Sequence, residues 1–137
     1  MQTFLPYQDF DKSIKSLDYK RLGKQRVEAY QLLCSIYIPS YGWKQHPAYK
    51  MWLPYPNALR LYMNMCIEEW VRQGYNNNMQ LANITEKIVY PKWLGDERVH
   101  SSHRSNLLFK DYNYYKRFNW KEPNNLAYYW PEGDEIV

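Results

Sequence analysis

Apolar positions recur with helical spacing in long stretches of the chain, and the gaps between them carry turn chemistry. From about Asp18 to Ile38, Leu22, Ala29, Leu32, Leu33 and Ile36 share one sector at about 100° per residue, which predicts a long helix with a core-facing stripe. Pro39 and the turn residues Ser40, Tyr41 and Gly42 stop it. Leu59, Tyr62, Met63, Cys66 and Trp70 predict a second helix from Asn57 to about Gln73, with Gly74 as its C-terminal stop. A third is predicted from Glu97 to Phe109, opened by Asp96 after the turn at 91–95. Shorter pieces fill in the rest: an extended start from Thr3 to Tyr7, a short helix capped by Asp9 or Asp11 and running through Leu17, and a turn around Met51 to Pro56. Asn76 to Asn83 reads as an amide-rich connection. From Tyr112 onward the aromatic residues have no clear period, so this tail is expected to wrap the helices irregularly, with Pro131 and the acidic end trailing into solvent. The pattern as a whole predicts an all-α fold: a compact single-domain helical bundle over 1–137 with an irregular, aromatic-rich C-terminal tail.

The polar residues that break this pattern are the candidates for chemistry. Asp18 and Gln25 project into the core-facing sector of the long helix, Arg26 lies at its margin and Arg21 just beyond the other edge. Buried polar side chains must find partners or line a cleft. Lys20 and Lys24 point outward, and Lys24 and Glu28 are spaced i,i+4 as an ordinary surface pair. The second constellation is HSSHRSN at 100–106, where His100, His103, Arg104 and Leu107 lie within a sector of about 100°. His, Arg, Ser and Asn there offer hydrogen bonds to phosphates or base edges, and the competing reading is that the two histidines are satisfied structural groups. The third polar group is the loop at 41–47, with Trp43 and His46. The expectation is that Asp18, Arg21, Gln25 and Arg26 share a pocket with His46 and with His100, His103 or Arg104.

The chain has 137 residues, which suits one domain, and a formal charge of +4, which makes a polyanion such as nucleic acid a plausible partner. Aromatic residues are 18% of it, with fifteen Tyr and six Trp; most serve packing, while aromatics among basic residues also stack on bases. Three histidines and two cysteines at apolar helical positions do not make a closed zinc site, so no metal and no cofactor is expected. There is no phosphate loop, no GxGxxG and no GxSxG elbow. With no signal-peptide pattern and no apolar run near the ~18 residues of a membrane span, the expectation is a cytoplasmic protein that does not enter a membrane and has no obligate protein partner.

Four blocks carry a resemblance: TFLPYQDFDKSIKSLDYKRLGKQRVEAYQLL, YGWKQHPAYKMW, WLGDERVHSSHRSNLLFKD and LAYYWP. In order and over nearly the whole chain they resemble a family of small bacterial and viral proteins related to pyrimidine-dimer DNA glycosylases of endonuclease V type. The resemblance implies an all-helical domain that grips double-stranded DNA with a base flipped out. In those relatives the amine of an N-terminal Thr attacks the sugar, assisted by a Glu in the first helix. In this sequence the threonine is Thr3, behind Gln2, and the nearest first-helix carboxylates are Asp18 and Glu28. The reading is thus an enzyme of DNA glycosylase type that recognises a damaged or modified base. Asp18, Thr3 and His103 are its catalytic candidates, and Arg21, Lys24, Gln25, Arg26, His46, His100, Arg104, Ser105 and Asn106 its nucleic-acid contacts. The alternatives are a non-catalytic nucleic-acid-binding module on the same fold and an enzyme acting on a free nucleotide or small anion.

Overall fold

A computed structural model describes residues 2 to 131, and the acidic stretch beyond, expected to trail off, lies outside the described residues. Among them, all regular structure is helical: α1 (Phe10–Ser16), α2 (Tyr19–Tyr37), α3 (Pro47–Trp52), α4 (Pro56–Arg72), α5 (Glu97–Lys110), α6 (Tyr112–Tyr115) and a 3-10 turn at Lys116–Phe118. None of these helices is long and apolar enough to cross a membrane. The caps follow the sequence: the Asp9 carboxylate accepts from the Asp11 and Lys12 amides, Asp96 accepts from Arg98, and Gly74 leaves α4 at φ 93°. Three expectations are corrected. The turn near Met51 is a short helix, because Pro47 stands in its first turn and His46 Nδ1 accepts the Ala48 amide at 3.0 Å. The tail winds into α6 and the 3-10 turn before becoming irregular. Pro131 is buried rather than trailing into solvent.

The core is a single cluster built on the packing of α2 against α4. Leu22, Ala29 and Leu32 from α2 meet Leu59, Tyr62, Met63 and Cys66 from α4, and Met51 and Trp52 of α3 close one side. Gly23 lies on a different flank of α2, where a Cβ atom would come within 2.9 Å of the Trp70 ring. That ring is pinned: Tyr75 stacks on it at 4.4 Å, Arg26 lies over it and its Nε1 donates to Asn76. A glycine inside a helix costs about 1 kcal/mol relative to alanine, and here the missing side chain lets the indole lie against α2.

Two extended segments, 2–6 and 122–130, lie along the helices with no strand partner, so their backbone groups need side chains. α5 supplies them. His103 Nδ1 accepts the Leu5 amide at 2.9 Å, and one turn earlier His100 Nδ1 donates to the Leu5 carbonyl at 2.7 Å while its Nε2 accepts the Gly95 amide. Arg104 donates to the Pro6 carbonyl and to Glu97 and Glu122. On the other side Ser102 accepts the Tyr129 amide, Ser105 accepts the Leu126 amide, and Asn106 donates to the Leu126 carbonyl. The two histidines therefore hold opposite neutral tautomers. Burial pushes the His103 ring down to about 3 and lowers His100 as well.

Two predictions follow from this packing. Gly23→Ala lowers stability despite alanine's better helix propensity, by about 1–3 kcal/mol in denaturant titration, because the pinned Trp70 ring must shift to admit the added carbon. The second concerns acid. An unfolded histidine binds its proton near pH 6.5, whereas His103 in the native chain does so only near 3, so its contribution is whole above about 6.5 and is lost progressively between those values. Unfolding midpoints should therefore fall from about pH 6.5 downward, before carboxylates begin to protonate near 4.5. His103→Asn, which keeps an acceptor for Leu5, should be less stable at neutral pH and show a flatter decline over that interval.

Candidate active site

A pocket of about 360 Å³ opens between the N-terminal segment and α2. Lys20, Arg21, Lys24, Gln25 and Glu28 line it from α2, spaced i, i+1, i+4, i+5 and i+8 so that they form one stripe. Gln2 and Phe4 come from the chain start, Lys110 from the end of α5 and Tyr128 from the tail. Four cations thus surround one carboxylate. Glu28 Oε2 accepts the Gln2 backbone N–H at 2.7 Å, which aims the carboxylate at the first residues of the chain. Burial, and then the charge of Glu28, push the Tyr128 hydroxyl up to about 12, so it stays a neutral donor at the wall. Among the described residues no three His, Cys, Asp or Glu side chains gather as metal ligands would.

The residues expected to converge are divided by the fold. Arg21 and Gln25 meet in the pocket, together with Lys20 and Lys24, which were expected to point outward. Gln25 is its buried floor, and its Oε1 accepts the Phe4 amide at 2.6 Å and lies 2.8 Å from the Tyr62 hydroxyl. Asp18 does not line the pocket: it is buried beside it, where Tyr115 donates a short hydrogen bond to Oδ1 and Arg21 pairs with Oδ2 at 3.1 Å. Tyr115 also accepts the Asp18 amide, and burial together with this carboxylate drives its hydroxyl well above the usual range. Arg26 turns to the opposite flank, over Trp70 at 4.6 Å and onto Asn77 at 2.6 Å. Thr3 faces the core, its hydroxyl accepting from Trp52 Nε1 at 2.8 Å, while its amide donates to Gln2 Oε1. His46 caps α3 between the rings of Trp43 and Trp130, and burial lowers its pKa. His100, His103, Arg104, Ser105 and Asn106 face the two extended segments and bond to their backbone, with His103 Nε2 left buried without a partner among the described residues.

Gln2, Phe4, Lys20, Glu28, Lys110 and Tyr128 were not among the site residues expected from sequence, although Glu28 was noted as one of the two nearest first-helix carboxylates. Lys20 and Glu28 had a visible signal, since they lie one turn before and one turn after Lys24 in the stripe it shares with Arg21 and Gln25; reading Lys20 as pointing outward and preferring Asp18 as the carboxylate hid that. The remaining four are brought in by long-range packing.

The model of one protein family, described as pyrimidine dimer DNA glycosylase, matches residues 1–83. The match runs from the chain start through α4 and spans every lining residue of the pocket except Lys110 and Tyr128. No curated protein and no solved structure matches the chain. A match over more than half of the 137 residues, containing the carboxylate and most of the cations of the pocket, places the function at family level as DNA glycosylase type: the chain belongs to the pyrimidine dimer DNA glycosylase family.

Proposed function

We propose that the pocket receives a damaged or modified base extruded from DNA, and that Glu28 is the carboxylate that serves cleavage of its glycosidic bond. The observation that carries this reading is the Glu28 carboxylate, fixed by the Gln2 N–H at 2.7 Å inside a basic pocket walled by Phe4 and Tyr128. A base inside a duplex is out of reach of any enzyme until it leaves the stack. Lys20, Lys24 and Lys110 suit the phosphates of the opened strand, and about 360 Å³ is within the usual size of a small-ligand pocket. As the base departs, positive charge grows on the sugar carbon; a carboxylate aimed there stabilises it and accepts a proton from the attacking group. In this reading Asp18 positions Arg21, and His103 acts at a distance by holding Leu5 and so the start of the chain.

The nature of the attacking group follows from one nitrogen. In a chain that keeps Met1 the Gln2 nitrogen is an amide and cannot attack, so Glu28 activates water and the base is released hydrolytically. In a chain beginning at Gln2 the same nitrogen would be an amine already bonded to a base, ready to form an imine with the opened sugar.

Glu28→Gln should therefore lower base release from damaged duplexes by at least about 100-fold while leaving DNA affinity nearly unchanged. Equal loss of affinity and release would remove Glu28 from the chemistry, and a wild-type protein that binds DNA yet releases no base would favour the non-catalytic binding module. Borohydride treatment on abasic DNA, followed by mass spectrometry that maps the adduct, should place it on the Gln2 nitrogen in molecules lacking Met1; an adduct found in those molecules only on Lys20, Lys24 or Lys110 would overturn the assignment of the Gln2 nitrogen.

A further inference from the structure

Trp43 adopts φ 74°, in the left-handed region that a bulky side chain rarely enters, although Gly42 beside it is free to take that conformation and does not. The loop holds it there from both sides. Ser35 Oγ donates to the Gly42 carbonyl at 2.6 Å, the His46 amide donates to the Trp43 carbonyl at 2.9 Å, and Lys44 Nζ binds the Ser35 and Ile38 carbonyls at the end of α2. Trp43, held in this arrangement, is 43% exposed. Strain retained by so many contacts is a mark of function rather than packing.

The indole is also connected to the pocket. Trp43 contacts His46 at 5.7 Å, His46 contacts Trp130 at 5.6 Å, Trp130 contacts Tyr128 at 5.4 Å, and Tyr128 is the pocket wall. A row of rings therefore runs from the basic pocket to an uncharged aromatic side chain exposed to solvent. Extruding a base leaves an unpaired partner and exposed neighbours, whose flat apolar faces are the complement of that surface.

We propose that Trp43 is a stacking platform for a second, unpaired nucleobase of the same DNA, outside the pocket; this rests on the reading of the pocket as a DNA site. The platform supplies affinity without charge, which separates it from the lysines.

The test uses the full chain with duplexes carrying a stable abasic analogue and 2-aminopurine scanned through the opposite and flanking positions, comparing wild type, Trp43→Ala, Trp43→Phe and Lys24→Ala. Wild type should quench the probe at one position. Trp43→Ala should lose that quenching, bind about 10-fold more weakly and keep the wild-type salt slope and melting temperature, with Trp43→Phe in between. Lys24→Ala should reduce the salt slope by about 0.9. If Trp43→Ala matches wild type in affinity and quenching while Lys24→Ala weakens binding, the platform is refuted and the pocket stands. A Trp43→Ala protein with a lowered melting temperature or salt slope would show a structural loop residue and also refute it. A wild-type protein without DNA affinity at about 50 mM salt would remove both readings.

Discussion

The backbone of Leu5 is the point on which the rest of the molecule depends. A chain with no paired strands among its described residues still carries two extended segments against its helices, and the first of them, residues 2–6, brings donors and acceptors into the buried interior. Leu5 has its N–H and its C=O taken by two histidine rings one turn apart on α5. Only opposite tautomers do this: one ring offers a lone pair and the other a proton. α5 accordingly buries polar side chains beside Val99, Leu107 and Leu108; its serines and asparagine repeat the same service along the tail, while Arg104 holds the Pro6 carbonyl.

That service is what builds the pocket. Once Leu5 and Pro6 are fixed, Phe4 reaches Gln25 and Gln2 reaches Glu28, so the start of the chain becomes a wall facing α2. Asp18 anchors the other end: bound by Tyr115 and Arg21, it ties α2 to α6 and keeps one cation at the rim. The carboxylate that faces the opening and the carboxylate that is buried thus have different tasks on one helix, decided by whether the surroundings leave an oxygen pointing into open space.

The long helices were legible because α2 and α4 each sustain an apolar stripe for about three turns or more, and a period needs that length to show. α3, with six residues, is too short for a period, and only Pro47 and the capping His46 announced it. The polar face of α5 was visible but its partner was not: histidine, serine and arginine that bind a ligand and those that bind a stray backbone are the same residues in the same spacing. Glu28 was misread for a related reason, since its local neighbour Lys24 explained it and its actual partner is 26 positions away. The conformation of Trp43 had no signal at all, because Gly42 was the natural place to put a left-handed turn.

The pocket walls come from opposite ends of the chain, and the bonds that bring them together join residues 98 positions apart. Contacts of that separation carry the largest loop-closure cost and form after local helix pairs have docked. The pocket consequently depends on closing nearly the whole chain: α2 and α4 are near neighbours in sequence, whereas the walls facing α2 are complete only where the tail meets the chain start.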